Sequence, residues 1–288
     1  MKKNKIYTFW NKLGISNEII NKILLKITGL SKNQLFLLNW INDEYIWKIE
    51  EYFSRIVSWE PIEYILKQAE FYWLDFYVDN RCLIPRNDTE IMVDKVLEIN
   101  SKIDLLIDVW TWSSCIPISI LENNKNIHKS FVIDIEKKAL EVSKINIEKH
   151  CLENKIIQIN WSLLDNFLLN TDIFNLNWDL NIWNLIITAN LPYIKNWDFD
   201  NMDFETMEYE PDSALYWWKD TWFELYEKLI LQCLELKSIY NIDKLLLFIE
   251  IWFDQKDIAK TFLTKLNLKF EIFRDNWWID RCIKIFIK

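Results

Sequence analysis

Apolar residues recur at steps of three and four along the first part of the chain. The pattern is clearest in three stretches, NEIINKILLKI, SKNQLFLLNWI and DEYIWKIEEYFSRIV. Such spacing places the apolar side chains on one face of an α-helix. Ser16 precedes the first stretch and Ser31 opens the second, and serine is a favoured helix N-cap. We therefore predict a small helical bundle over residues 1–66.

The stretch AEFYWLDFYVDNRCLIP then alternates aromatic and polar residues. A period of two is that of a β-strand, whose side chains point alternately to opposite faces. The alternation is interrupted near Trp73 and near Asp79 and Asn80, which indicates turns. We expect a β-hairpin linker over residues 67–87. A predicted helix in DTEIMVDKVLEIN follows, at the start of a second domain over residues 88–288.

From residue 103 onward, short β-rich apolar runs alternate with amphipathic stretches. The runs are Ile103–Val109, Phe131–Ile135, Ile156–Ile159, Leu185–Ala189, Lys244–Ile251, Lys269–Arg274 and Cys282–Ile287. This alternation is typical of a mostly parallel sheet with helices on both faces. The last two runs are close in sequence, so an antiparallel hairpin is expected at the end of the sheet. The predicted fold class is α/β, with a Rossmann-like seven-stranded domain after the bundle and the hairpin.

Two acidic residues end neighbouring predicted strands. Asp108 ends the first strand of this region, directly before the turn WTWSS, and Asp134 ends the second strand. In doubly wound sheets the ligand binds beyond the carboxyl ends of the strands, near the first crossover. A carboxylate at that edge can accept hydrogen bonds from both hydroxyls of a ribose. The alternative interpretation is that both acids are solvated strand ends.

A second group of candidate residues follows the fourth strand, in ITANLPYI. The side-chain oxygen of Asn190 and a nearby backbone carbonyl can both accept from a planar NH2 group, on which the ring of Tyr193 can stack. This grip orients the weak lone pair of the nitrogen towards an electrophile. The alternative is a turn with a buried tyrosine. Downstream of Asp108 and Asp134, the pattern indicates transfer of a methyl group from S-adenosylmethionine to a planar nitrogen.

These motifs resemble those of the peptide chain release factor glutamine methyltransferases, the HemK-type N5-glutamine methyltransferases. The resemblance extends from about Arg55 to the C-terminus. Its motifs are EPIEYI, EFYWLDFYVDNRCLIPRNDTE, DVWTWSSCIPISI, NLPYI, EPDSALYWWKDTW, EIWFDQ and DNWWIDRCIK. The segment LIPRNDTE, from Leu83 to Glu90, is the most specific to the family, because other amine methyltransferases with an N-x-P-Y motif lack it.

The resemblance implies a class I methyltransferase fold. It also implies transfer of a methyl group from S-adenosyl-L-methionine to the side-chain amide of the glutamine in the Gly-Gly-Gln motif of release factors. Catalysis is expected to come from orientation by Asn190, Pro192 and Tyr193 rather than from a strong base, with Leu191 also contacting the substrate. The cofactor is expected to contact Asp108, Trp110, Thr111, Trp112, Ser113, Ser114, Asp134, Leu163 and Asn190.

The same resemblance implies that the helical N-terminal domain docks a release factor, a partner in translation termination. With 5 scattered cysteines and 2 histidines, reduced thiols and no metal site are expected. No apolar run approaches the roughly 20 residues of a membrane span, and the N-terminus lacks the apolar core of a signal peptide. We therefore expect a cytoplasmic protein without a membrane partner.

Three positions depart from the family pattern. Ser114 stands at the third glycine of the turn, a position expected to concern mainly helix packing. Leu191 replaces the commoner proline, and leucine there is usual in ribosomal RNA adenine dimethyltransferases. Ser162 stands where the family often has aspartate, so the expected contact to the adenine falls to Leu163.

Glycine is nearly missing from the sequence. The chain has 2 glycines and 17 tryptophans, whereas an average usage of about 7% predicts roughly 20 glycines. Our hypothesis is that many of the tryptophan codons are UGA, read as glycine in the source organism. Trp10, Trp40 and Trp47 are expected to be genuine, and Trp178, Trp183 and Trp197 stay unassigned. The eleven tryptophans at usual glycine positions of the family are Trp59, Trp73, Trp110, Trp112, Trp161, Trp217, Trp218, Trp222, Trp252, Trp277 and Trp278.

Two rival functions stay open from the sequence. An adenine-N6 methyltransferase acting on DNA or RNA is favoured by the N-x-P-Y motif and by Leu191. The net charge of −9 and the segment LIPRNDTE disfavour nucleic acid as the direct substrate. A catalytically inactive, Trp-rich interaction protein is what the sequence suggests if every tryptophan is genuine.

Overall fold

The structure is a computed structural model that describes residues 1–127, 129–169, 184–192, 208–211 and 223–288. The chain forms two compact units. One comprises Met1–Gln68 with the described residues Glu208 and Tyr209, and the other comprises the described remainder of the chain from Ala69 to Lys288. One predicted site residue and six of the tryptophans lie outside the described residues. They are Tyr193, Trp178, Trp183, Trp197, Trp217, Trp218 and Trp222.

The first unit is a bundle of short helices, as the apolar spacing predicts. Ile20, Ile23, Leu24 and Phe53 are completely buried in its core. Trp10 stacks on Phe53 with ring centroids 4.3 Å apart. The helices are α1 (Lys3–Asn11), α2 (Asn17–Thr28), α3 (Lys32–Leu37), α4 (Ile46–Val57) and α5 (Ile62–Leu66), with a 3-10 turn at Asp43–Tyr45.

Both predicted serine caps are confirmed. The hydroxyl of Ser16 accepts from the backbone N–H of Ile19 at 3.3 Å. Ser31 and Gln34 form a reciprocal capping box, with distances of 3.3 and 2.9 Å. Gly29 ends α2 at a φ of 67°, a left-handed conformation that glycine adopts without a Cβ penalty. Helix α3 is shorter than the apolar pattern because Leu38 is extended.

The second unit begins with an antiparallel hairpin, β1 (Ala69–Phe71) and β2 (Leu74–Phe76), joined by a turn at Tyr72 and Trp73. The predicted linker region therefore groups with this unit rather than standing apart from it. A 3-10 turn at Asn87–Thr89 and helix α6 (Glu90–Leu97) follow. Phe71, Phe76 and α6 pack into the core beside the sheet.

Seven strands form one sheet in the order β5-β4-β3-β6-β7-β9-β8. The first five of these run parallel to one another, and β9 is antiparallel to both β7 and β8. The predicted seven-stranded α/β fold and its antiparallel end are confirmed. The strands are β3 (Leu105–Val109), β4 (Ser130–Asp134), β5 (Ile156–Asn160), β6 (Asn184–Ala189), β7 (Lys244–Glu250), β8 (Lys269–Arg274) and β9 (Asp280–Ile287).

Helices α7 (Cys115–Asn123), α8 (Lys137–Lys149), α9 (Asp165–Leu169), α10 (Glu224–Tyr240) and α11 (Lys256–Lys265) complete the second unit. Every residue of β3 and β4 is buried, as expected for parallel strands that are covered on both faces. Among the described residues, no helix combines the length and the apolar character that spanning a membrane requires.

Left-handed backbone conformations are concentrated at tryptophans. In the described part of the chain, twelve residues other than glycine have a positive φ, and five of them are tryptophan. A left-handed conformation costs a residue with a Cβ roughly 1–2 kcal/mol, and it is uncommon outside glycine, asparagine and aspartate. The five are Trp59 (φ 67°), Trp73 (64°), Trp110 (65°), Trp112 (50°) and Trp278 (64°).

Candidate active site

The turn after β3 is tied to the neighbouring strand β4. The backbone N–H groups of Trp110 and Thr111 both donate to the carbonyl of Ile133, at 2.7 and 3.0 Å. The carbonyl of Ser113 accepts from the side-chain amide of Asn146 on α8 at 3.0 Å. The turn is therefore held between β4 and α8 at the carboxyl edge of the sheet, where ligands bind in this fold.

Ser114 closes the turn and precedes α7. Its hydroxyl lies 3.0 Å from the hydroxyl of Thr111 and 2.6 Å from that of Ser143. Its φ of 62° shows that the position demands a left-handed backbone. The expectation that this position concerns mainly helix packing is therefore incomplete, because glycine there would also relieve backbone strain.

Asp108 is a structural support of the turn. The carboxylate is buried, and each oxygen accepts a 2.6 Å hydrogen bond, one from the hydroxyl of Thr111 and one from that of Thr188 on β6. Burial raises the pKa of Asp108 to about 7, although the two hydroxyl donors act in the opposite direction. Asp108 thus joins β3, the turn and β6. This contradicts the alternative interpretation that it is a solvated residue at a strand end.

Asp134 is the last residue of β4 and contacts the same turn. One oxygen accepts from the backbone N–H of Trp112 and the other from that of Glu136, both at 2.9 Å. Burial raises the pKa of this carboxyl to about 7. Because each oxygen has a further lone pair, the carboxylate can still accept from a pair of ligand hydroxyls.

The loop after β5 contains the predicted adenine contact. Leu163 is buried and has a φ of 49°. Its neighbour Leu164 is fixed by a 3.1 Å hydrogen bond from its N–H to the side chain of Gln232 on α10. The side chain of Asn160 donates to the carbonyls of Asp134 and Ile135, at 2.9 and 2.8 Å. The loop is therefore fastened to the end of β4.

Asn190 follows β6 and is held from two directions. Its side-chain N–H donates to the hydroxyl of Thr89 at 3.4 Å. The N–H of Leu191 donates to the hydroxyl of Tyr226 at 3.1 Å, and that hydroxyl donates to the carbonyl of Glu250 at 2.5 Å. With its amide nitrogen towards Thr89, the side-chain oxygen of Asn190 is left to accept from another group.

The segment LIPRNDTE is anchored at three points around Asn190. Glu210 pairs with Arg86 and accepts from the backbone N–H of Ile84 at 3.4 Å. Asp88 pairs with the buried Arg281 of β9 at 3.2 Å, and Thr89 contacts Asn190 as described above. The segment thus places Thr89 at the carboxyl end of β6.

Sequence reasoning did not identify Thr89, Thr188 or Tyr226. Thr89 lies inside the family-specific segment, and Thr188 lies two residues before Asn190, so both had a positional signal. Tyr226 lies in an amphipathic helix where its apolar spacing resembles that of any core residue. Only the packing of α10 against the end of β7 reveals its role.

The indole of Trp112 lies within this group of residues. Trp112 is 4% exposed, and its ring N–H donates to the backbone carbonyl of Asn190 at 3.3 Å. Its own backbone N–H is bound to Asp134, so the side chain extends from one candidate residue to the other. The ring of Trp110 lies 6.2 Å away, between centroids, and is also buried.

The predicted residues are therefore brought together, except for Tyr193, which lies outside the described residues. Asp108 is the penultimate residue of β3, Asp134 ends β4 and Asn190 follows β6, and these three strands are adjacent. Pro192 is buried beside Leu191. In the described part of the chain, no group of three metal-ligating side chains is present. The site can therefore offer amide and carbonyl acceptors to a planar NH2 group beside a carboxylate suited to a diol.

Comparison with known proteins gives release factor glutamine methyltransferases among the relatives. The chain is 31% identical over 306 residues to the release factor glutamine methyltransferase of Mycoplasma mycoides subsp. mycoides, covering 98% of this chain and 99% of that protein. It is 31% identical over 192 residues to the enzyme of the same name from Flavobacterium psychrophilum, covering 65% of this chain and 59% of that protein. No protein-family model matches the sequence.

Among solved structures, the hMettl16 catalytic domain, determined in complex with a MAT2A 3′UTR hairpin, is similar with a TM-score of 0.53. The identity is 13%, with coverage of 75% of this chain and 76% of that chain, so this likeness shows the fold alone. The near full-length match to the Mycoplasma protein is the decisive finding. The chain belongs to the family of release factor glutamine methyltransferases.

Proposed function

We propose that this protein transfers a methyl group from S-adenosylmethionine to the side-chain amide nitrogen of the glutamine in the Gly-Gly-Gln motif of peptide chain release factors. The proposal rests on family membership and on one observation of the site. Asn190 is buried at the end of β6 with its amide nitrogen directed to Thr89. Its oxygen is therefore available to a planar NH2 group.

An amide nitrogen is a poor nucleophile because its lone pair is delocalised into the carbonyl group. The chain's contribution is orientation: Asn190 and the backbone at Pro192 accept from the two amide hydrogens and turn the nitrogen towards its electrophile. Held beside Asp134, the cofactor would supply that electrophile as a methyl group on a sulfonium, with its C–S bond exchanged for the new C–N bond. The amide nitrogen would release one proton to water. Tyr193 is proposed to pack beside the amide.

The acidic residues are suited to binding the cofactor, whereas the turn after β3 with tryptophan at position 112 is not. Asp134 has acceptor capacity for a ribose, and Asp108 holds the turn without facing a ligand. Trp112, in contrast, fills the space between Asp134 and Asn190 and donates to a carbonyl of the substrate site. Overpacking a well-packed site costs about 1–3 kcal/mol, so the sequence as written is not suited to bind S-adenosylmethionine.

The partner is proposed to be a release factor, in the cytoplasm, with the helical N-terminal unit as its docking surface. The test uses a variant with glycine at the eleven positions given above. This variant is incubated with S-adenosylmethionine and a release factor, and the peptide carrying Gly-Gly-Gln is weighed by mass spectrometry. We expect a gain of one methyl group on the glutamine.

A variant that is folded and binds the cofactor, yet leaves the glutamine unmodified, would overturn the proposal. The matched control is Asn190→Ala in the same background, which should remain folded and give no product. Incubation with an RNA and a DNA oligonucleotide tests the adenine alternative. Methylation there, lost as salt rises, would indicate phosphate contacts and a nucleic-acid substrate.

A further inference from the structure

The backbone sorts the tryptophans into two groups without reference to any relative. Among the described residues, five tryptophans have a left-handed φ, between 50° and 67°. Both glycines of the chain, Gly14 and Gly29, are also left-handed, at 85° and 67°. In this conformation the Cβ of tryptophan crowds the backbone, whereas glycine has no Cβ and adopts it without steric conflict.

At three of the five positions the local structure is of a kind in which glycine is favoured. Trp59 follows the end of α4, and its N–H bonds to the carbonyl of Ile56, as in a glycine-terminated helix. Trp73 is the second central residue of the β1–β2 turn, where both residues have a positive φ. Trp278 closes the β8–β9 turn with an N–H to the carbonyl of Asp275.

Three tryptophans in the first unit behave differently. Trp10 lies within α1 and stacks on Phe53, and Trp47 lies within α4. Trp40 faces the amine of Lys2, which lies 5.5 Å from its ring centroid. None of the three is left-handed. Two have aromatic or cationic contacts of the kind tryptophan makes in proteins.

The side chains of three of the five left-handed tryptophans, Trp59, Trp73 and Trp278, are mostly exposed. Trp73 and Trp278 are 88% and 78% exposed, far more than is usual for so large an apolar side chain. Trp112 and its neighbour Trp110 are buried, and Trp112 is hydrogen-bonded to both Asp134 and Asn190.

We infer that the functioning polypeptide carries glycine at positions 59, 73, 110, 112 and 278 and tryptophan at positions 10, 40 and 47. The gene would then have UGA at the first five positions, read as glycine, and UGG at the other three. The structure adds to the sequence hypothesis one observation at these five positions, the left-handed φ. Trp161, Trp252 and Trp277 are not left-handed, so their assignment to glycine rests on the sequence hypothesis alone. The structure also identifies the volume of the Trp112 indole as the part of the cofactor cleft that glycine opens.

Glycine at position 112 has two effects on the site. It removes the ring that lies between Asp134 and Asn190, and it frees the Asn190 carbonyl from the indole N–H. The backbone N–H of residue 112 remains to donate to Asp134. The cleft is thereby opened without loss of the hydrogen bond that positions the turn.

The first test is peptide mass mapping of the protein isolated from the cells that make it. Trypsin releases Ile103–Lys125, which contains positions 110 and 112, and Asn33–Lys48, which contains positions 40 and 47. We expect the first peptide to have the mass of a chain with two glycines and the second that of a chain with two tryptophans. Tryptophan in the first peptide, or glycine in the second, would overturn the inference.

A second measurement concerns the cleft and uses protein made in a host that inserts tryptophan as written. Calorimetry with S-adenosylmethionine compares this protein with the double variant Trp110→Gly, Trp112→Gly, with Trp40→Gly, Trp47→Gly as the matched control. We expect the double variant to bind at least about tenfold more tightly, equivalent to about 1.4 kcal/mol, and the control to be unchanged. Equal binding by all three would refute the assignment of the cleft.

The mass measurement does not depend on the proposed function. If glycine is found and no release factor is methylated, the proposed function fails while this inference stands. If tryptophan is found and methylation is nevertheless seen, the inference fails while the proposed function stands.

Discussion

The hydroxyl group of Tyr226 holds the backbone that follows β6. It accepts from the N–H of Leu191 and donates to the carbonyl of Glu250, and the ring is completely buried. Burial raises the pKa of Tyr226 well above its ordinary value, so the phenol stays protonated and the donor is permanent. The hydroxyl therefore fixes the peptide group between Asn190 and Leu191.

Tyr226→Phe is expected to leave the Leu191 N–H buried without its acceptor, at a cost of about 1–3 kcal/mol in the free energy of unfolding. In the protein with glycine at the eleven positions, which we call the glycine-bearing protein, we expect kcat for glutamine methylation to fall at least about tenfold. The Kd for S-adenosylmethionine is expected to be unchanged. Steady-state kinetics and calorimetry measure both. The control is Tyr240→Phe. Tyr240 lies on the same helix as Tyr226, and the substitution removes a 2.8 Å hydrogen bond from its hydroxyl to the carbonyl of Phe167 on α9. Equal loss of kcat in both variants would contradict a positioning role.

The carboxyl group of Asp134 gives cofactor binding a pH dependence. Burial raises its pKa to about 7, with smaller contributions from the charges of Glu136 and Asp108. The ionised group can accept from two ribose hydroxyls, whereas the protonated group must use one oxygen as a donor. Glycine at position 112 opens the cleft beside this carboxyl and reduces its burial, which lowers the pKa from about 7 towards the ordinary range of a carboxyl. We therefore expect the affinity for S-adenosylmethionine to fall as the pH falls from about 7 towards that range.

Calorimetric titrations of the glycine-bearing protein on both sides of neutral pH test this expectation. Asp134→Asn should bind weakly and without the pH dependence. Asp108→Asn should retain the dependence, because its carboxylate is occupied by Thr111 and Thr188. An affinity that stays constant in the Asp134 protein from neutral pH down to the ordinary range of a carboxyl pKa would contradict the expectation.

At the scale of elements, the strands could be predicted closely because the parallel strands are short runs of β-branched and apolar residues between amphipathic helices. The seven strands lie where these runs occur. The 3-10 turn at Asn87–Thr89 was not predicted, because DTEIMVDKVLEIN has helical spacing up to Asp88 while the backbone becomes α-helical only at Glu90. The capping serines were predictable because capping is local chemistry.

The hairpin turn between β1 and β2 allows a stability test of the glycine assignment. Tyr72 and Trp73 have φ of 49° and 64°, the signs of a type I′ turn, in which glycine is strongly preferred at the second position. Since the Trp73 side chain is 88% exposed, its removal loses little packing. We expect Trp73→Gly to raise the free energy of unfolding by roughly 1 kcal/mol.

Chemical denaturation measures the change. For Trp47→Gly we expect the free energy of unfolding to fall instead. Trp47 is also exposed but lies in α4, where glycine is unfavourable by up to about 1 kcal/mol. Destabilisation by both substitutions would argue that tryptophan belongs at position 73.

At the scale of the whole molecule, the sheet order explains why the candidate site could be predicted in part. Because β3 lies between β4 and β6, Asp108, Asp134 and Asn190 meet although they are far apart in sequence. Their positions follow from the rule that ligands bind at the carboxyl edge. The contacts of Thr89 and Tyr226 could not be predicted, because they depend on how a 3-10 turn and a helix pack against that edge.

Residue 59, at the end of α4, has a left-handed φ, from which we infer a UGA codon. That codon affects what is made when the unaltered gene is moved to another host. Of the five positions inferred to be encoded by UGA, 59 is the first in the chain. A host that treats UGA as a stop codon would release a peptide ending at Ser58. That fragment lacks α5, whose Tyr64, Ile65 and Leu66 are buried, and it lacks the whole of the second unit. A laboratory copy of this protein therefore requires a recoded gene before any chemistry can be measured.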